Sequence, residues 1–166
     1  MTEPSIALQI GGWQNVPSKR ITEIYRLPTS ECQNNQSMLR ELPVPLRAHV
    51  AINIDNWGLL VCGGTSETMK SVPGRQCYVF EYNTGKWKDF HKLNVGRLNA
   101  YAMQINSKIH IIGGSSTDPF NPYLNTEEVI DLNSQEGWQQ RKMQDSVCSQ
   151  VDVEVVHIRC ANINSE

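Results

Sequence analysis

The sequence predicts an all-β repeat fold, built from four-stranded antiparallel sheets. Three observations carry that expectation. The segments IALQIGG, GLLVCGG and KIHIIGG each run an apolar stretch into a glycine pair, Gly11-Gly12, Gly63-Gly64 and Gly113-Gly114, spaced 52 and 50 residues apart. Self-similarity at such a period indicates an array of like units. Arg47 and Arg97 each stand 16 residues before the following glycine pair, so the units share more than glycine.

Each element of the unit has its own reason. Between arginine and glycines lie HVAINIDNWGLLVC and AYAMQINSKIHII, two apolar stretches around the turn formers Asp55-Asn56 and Asn106-Ser107. Such a pattern reads as a tight hairpin. After each glycine pair come a polar loop and a third apolar stretch: ITEIYRL, CYVFEYN and EEVIDLN. A small polar turn then leads to Trp87 in the second copy and Trp138 in the third, each opening a fourth strand. The glycines permit backbone angles closed to other residues and close backbone approach. A tryptophan offers one large apolar face per sheet for packing against the next, so both are expected buried between sheets.

This pattern resembles the kelch repeat, whose motif is a strand leading to Gly-Gly, an aromatic third strand, a tryptophan and an arginine before the next repeat. The middle copy matches best, with Gly63, Gly64, Tyr82, Trp87 and Arg97. The first has Gly11, Gly12, Tyr25 and Arg47, with Cys32 near the tryptophan position; the third has Gly113, Gly114 and Trp138, with Val147 near the arginine position. The resemblance implies blades of a β-propeller, about three of them, over one region spanning 1–166. The repeats run roughly 6–47, 48–97 and 98–147, followed by a degenerate terminal strand at 151–158. Propellers close with about four to eight blades, and six kelch repeats take roughly 300 residues at this period. The expectation is therefore a partial propeller: a stretch of a longer kelch protein, an irregular assembly, or half of a six-bladed ring. In the last case a homodimer completes the ring, with Val151–Ile158 crossing to the second copy.

Composition excludes several classes. The 166 residues are 19% charged and 39% apolar, with a formal net charge of -2. That is a globular composition without the basic face that nucleic acid or an anionic membrane attracts. No apolar run approaches the roughly 20 residues of a membrane span, and no signal peptide is visible at the N-terminus. Cys32, Cys62, Cys77, Cys148 and Cys160 form no CxxC pair. With no secretion signal, five free thiols and a cytoplasmic location are expected.

No catalytic set is legible. His49, His91, His110 and His157 lack metal-ligand spacing, so no metal or cofactor is expected. The glycine pairs lead to a loop and another strand, not to the helix N-terminus of a phosphate cradle. Function is expected on the loops at the sheet ends. The candidate partner-binding residues are Phe120 and Tyr123 in SSTDPFNPYLN, Trp13 after the first glycine pair, and Arg47 and Arg97 at the strand starts. Proline-stiffened aromatics suit a binding hot spot or fold back onto the sheet edge, and the arginines suit acidic or carbonyl-rich peptides or pair with the carbonyls of a neighbouring sheet. The kelch resemblance implies a non-catalytic protein-interaction module, a scaffold or substrate-recruiting domain. The alternative it leaves open is part of a kelch-like propeller enzyme acting on a small molecule.

Overall fold

The computed structural model describes residues 5–15, 18–27, 41–66, 72–118, 120, 122–143 and 157–159; in 5–15, 18–27 and 157–159 it describes the backbone alone. The elements are β1 (Ser5–Asn15), β2 (Ser18–Leu27), β3 (Arg47–Ile54), β4 (Gly58–Thr65), β5 (Cys77–Glu81), β6 (Lys86–Phe90), β7 (Tyr101–Ile105), β8 (Lys108–Ile112), β9 (Thr126–Asp131), β10 (Gln139–Lys142) and β11 (His157–Arg159). No helix occurs among the described residues. The chain is all-β, with a three-stranded sheet ordered β11-β1-β2 and two four-stranded antiparallel sheets, β3-β4-β5-β6 and β7-β8-β9-β10. We call these the first, middle and third sheets.

The hairpins form where the turn residues lie. Asn56 and Asn106 take the left-handed backbone, at φ 58° and 55°, that tight turns demand and asparagine tolerates. Between the strands they join, side chains alternate faces. In β4 that alternation splits two cores. Leu60 and Cys62 join Val50, Ile54, Cys77 and Val79 on the face toward the third sheet, which contributes Ile109, Ile111, Ile130 and Trp138. Leu59 and Val61 point the other way, toward Leu42, Leu46 and Tyr78. With both faces covered, all eight residues of β4 are buried, which is why its sequence reads as an unbroken apolar run.

The glycine pairs mark the sheet-to-sheet junction. Gly63 and Gly64 have φ of 68° and 77°. The Gly64 amide donates to the Arg97 carbonyl at 2.9 Å, and the Gly64 carbonyl accepts from Gly74 at 2.6 Å. A methyl group on Gly64 would stand 2.7 Å from the Arg47 carbonyl oxygen. Only glycine meets both demands. In β1 the pair coincides with a register shift between Ile10 and Gly12, the bulge that glycine accommodates.

Three expectations change. Trp138 is buried between sheets at 6% exposure, but Trp87 is half-buried on the opposite face, tilted against Phe80. Residues 151–156 of the expected terminal strand lie outside the described residues. Its remainder, β11, pairs with β1 of its own chain, Ile6 opposite Ile158, whereas the half-ring alternative had it crossing to a second copy.

The free-thiol expectation fails at Cys62 and Cys77, which are disulfide-bonded. The two stand opposite each other on β4 and β5. The neighbouring bond from the Gly63 amide to the Gln76 carbonyl makes theirs a non-hydrogen-bonded pair, the closer kind, with Cα atoms 4.1 Å apart. Separation by 15 residues hid the pairing from motif reading. The other three cysteines lie outside the described residues. The cytoplasmic expectation thus loses its thiol argument; the structure adds that no described helix is long and apolar enough to cross a membrane.

Two predictions follow from this packing. Thiol counting after denaturation without reductant should find no more than three free cysteines, and a proteolytic digest should yield the 62–77 crosslinked peptide. Replacing both cysteines by alanine should cost about 3 kcal/mol in a denaturant melt, the loop-closure value for this separation.

Tyr82 supplies a pH dependence. Burial, aided by the charge of Asp55, pushes its phenol up from 10.0 to about 12, and its hydroxyl donates to Asn53 Oδ1 at 2.6 Å. A raised folded-state value means stability present below pH 10 and lost as pH climbs toward about 12. The melting temperature of the wild type should therefore fall more steeply across that window than that of Tyr82→Phe.

Candidate functional site

The loop from β8 to β9 leaves through Gly113 and Gly114, at φ 62° and 87°. Its base is closed by backbone pairing: Ser115 exchanges hydrogen bonds with Leu98 at 2.8 and 2.9 Å, Ser116 donates to Pro122 at 2.8 Å, and Leu124 donates to Gly114 at 2.9 Å. Ser115 also bridges to Tyr123. Side chains shape the tip. The Ser116 hydroxyl accepts from the Asp118 amide at 3.1 Å, and Asp118 Oδ1 accepts from the Phe120 amide at 2.9 Å. Both are side-chain turns of the kind Ser and Asp make with a backbone amide two residues on.

This built loop holds its aromatics in water. Phe120 is 90% exposed and Tyr123 55%. Of the five side chains singled out as partner-binding, these two come together on one loop. Exposing a phenylalanine forgoes its burial free energy, about 1.5–3 kcal/mol.

Beneath the loop sits Arg97, and here the structure corrects the partner-binding expectation. Of the two expectations for Arg97, engaging a partner at a rim or pairing with a neighbouring sheet's carbonyls, the second holds: the residue is 1% exposed. Nη1 donates to the Gly113 carbonyl at 2.7 Å and the Thr126 carbonyl at 3.2 Å; Nη2 donates to Glu128 Oε1 at 3.0 Å. The guanidinium is spent on the loop's two ends and cannot serve a ligand. Burial pulls it down from its ordinary value, while the charge and hydrogen bond of Glu128 oppose that shift.

Glu128, 0% exposed, was missed in the sequence. Its carboxylate also accepts from the Asn94 amide at 2.6 Å and the Val95 amide at 2.9 Å, which pins the connection between β6 and β7. In the sequence it is an acidic residue within the apolar stretch EEVIDLN, with nothing to mark it as buried. The signal that would have found it is the demand of a buried arginine for a carboxylate.

The remaining candidates do not join this loop. Arg47 is half-buried where β3 starts, opposite Thr65. The register places Tyr78 opposite Val61 as Glu128 is opposite Ile111, so the middle sheet has tyrosine where the third has the carboxylate. Trp13 lies in β1 opposite Arg20; its side chain is outside the described residues. His110 contacts Glu127 at 2.9 Å, and among the described residues no three of His, Cys, Asp and Glu gather as a metal site.

No family model matches the chain, and no curated protein does. Among solved structures, one titled "Structure of YjhT" is similar with a TM-score of 0.61 and 14% identity, over 87% of this chain and 54% of that one. The chain thus spans about half of that chain's length. At this identity the likeness concerns the fold alone.

The arginine pair is testable. Glu128→Ala should destabilise the protein by about 3–5 kcal/mol, because it leaves a buried guanidinium uncompensated. The measurement is denaturant unfolding, and a cost below about 1 kcal/mol would contradict the buried pairing.

Proposed function

We propose that each four-stranded sheet is a kelch-type blade and that the chain acts as a non-catalytic protein-interaction module. The recurring glycine corner, the arginine before the second and third units and the tryptophan packed against the preceding sheet support the kelch reading. The observation that carries the function is Phe120, 90% exposed at the tip of a loop held by its own hydrogen bonds. A pre-ordered loop loses little conformational entropy when a partner closes over it. An exposed aromatic anchor beside a second one, Tyr123, is the composition of a binding hot spot. The partner this fits is a protein surface or peptide with an apolar pocket sized for one phenyl ring.

Peptides selected from a random display library on the wild-type chain test this. Phe120→Ala should weaken their binding at least about tenfold, with Tyr123→Ala next, while thermal midpoints stay within about 2 °C because exposed side chains contribute little to stability. Selected peptides indifferent to both substitutions would refute the loop as the binding site.

A further inference from the structure

The face of the third sheet turned away from the core differs in kind from its counterpart in the middle sheet. The two sheets share a register, so positions correspond: Leu60, Val79 and Lys88 stand in one row of the middle sheet as His110, Val129 and Gln139 do in the third. In the next row Cys62, Cys77 and Phe90 correspond to Ile112, Glu127 and Arg141. Leu60, Cys77 and Phe90 belong to the apolar core under the third sheet. Their equivalents are a histidine paired with a glutamate at 2.9 Å, and an exposed arginine. An apolar sheet laid over these would strip water from charged groups without returning partners. Yet the same face exposes Tyr101 at 36% and Ile105 at 47% along β7.

The hairpin end and the two outer strands of this surface match themselves. We propose that a second copy of the chain covers it face to face, about a two-fold axis parallel to the strands. That axis sets β7 over β10 of the second copy and β8 over β9, without changing level along the strands. At the hairpin end Lys108 then lies over Asp131 of the second copy. Lys108 and Asp131 are already cross-strand neighbours within one copy, and Lys108 helps hold the Asp131 carboxyl below its ordinary range after the hydrogen bonds from Asn133 and Ser107. Four charges therefore alternate in sign around the axis. At the same level Ile105 meets a pocket of about 220 Å³ beside Gly137, with Val129 among its lining residues. At the glycine end Tyr101 lies over Arg141, a ring beneath a guanidinium. The other in-plane axis, across the strands, would set Asp131 over Glu127, like charge on like. The contact is isologous and stacks two sheets; it does not close a ring, and it is independent of the Phe120 loop.

Light scattering of the full chain is the test. The wild type should run as a dimer near twice 18.8 kDa, weakening as salt screens the charge cluster. Lys108→Asp and Asp131→Lys each set like charges together and should weaken the dimer at least about tenfold; the double swap restores opposite charges and should recover it. Circular dichroism restricts the comparison to folded variants. Ile105→Ala, which perturbs no charge, should also loosen the dimer by about tenfold. A monomeric wild type, a dimer indifferent to the single reversals or to Ile105→Ala, or folded double-swap protein that stays monomeric would each overturn the proposal.

Discussion

A guanidinium that cannot reach water must be answered entirely by the protein, and at Arg97 that demand organises the junction between the middle and third sheets. Its donors reach the carbonyls of Gly113 and Thr126, the two ends of the exposed loop, and the carboxylate of Glu128. Glu128 in turn has to be satisfied, and the amides of Asn94 and Val95 do so. One buried charge thereby fixes the sheet connection, the glycine corner and the base of the exposed loop. The net energy of such a pair against an apolar replacement is small or unfavourable. Its contribution is geometric, since few arrangements of that backbone engage both terminal nitrogens of Arg97 at once, even with Nε left without a partner.

Tryptophan and glycine complete the junction. Trp138 packs its ring into the inter-sheet core while Nε1 donates to the His91 carbonyl at 2.7 Å, so the connection is held from the apolar side as well. The glycines let the Arg97 backbone come within hydrogen-bonding distance of Gly64. In the middle sheet the equivalent of Glu128 is Tyr78, packed with Leu42 and Leu46 of the segment before β3. Like sheets thus meet their covering segments through different chemistry, a charged junction in one and an apolar one in the other.

Much of the architecture was readable along the chain. The hairpin turns at Asn56 and Asn106, the strand order within each unit and the glycine corners follow from short-range periodicity and turn chemistry, which are properties of a few adjacent residues. Phe120 and Tyr123 stood out because proline and asparagine flank them. What was misread has a common cause. Arg97 was counted among the partner-binding candidates, Glu128 was not singled out at all, and Cys62 was expected as a free thiol. Each is decided by a residue 15 to 31 positions away.

The sequence by itself determined an all-β chain of repeated hairpins with glycine at each sheet end, because backbone preference and side-chain alternation act locally. Tertiary structure alone decided that Arg97 is interior, that Cys62 meets Cys77, and that Phe120 stands in water. The physical reason is register. Which residues face each other across strands depends on how separate segments align, and a shift of one residue would turn Cys62 away from Cys77 and Glu128 away from Arg97.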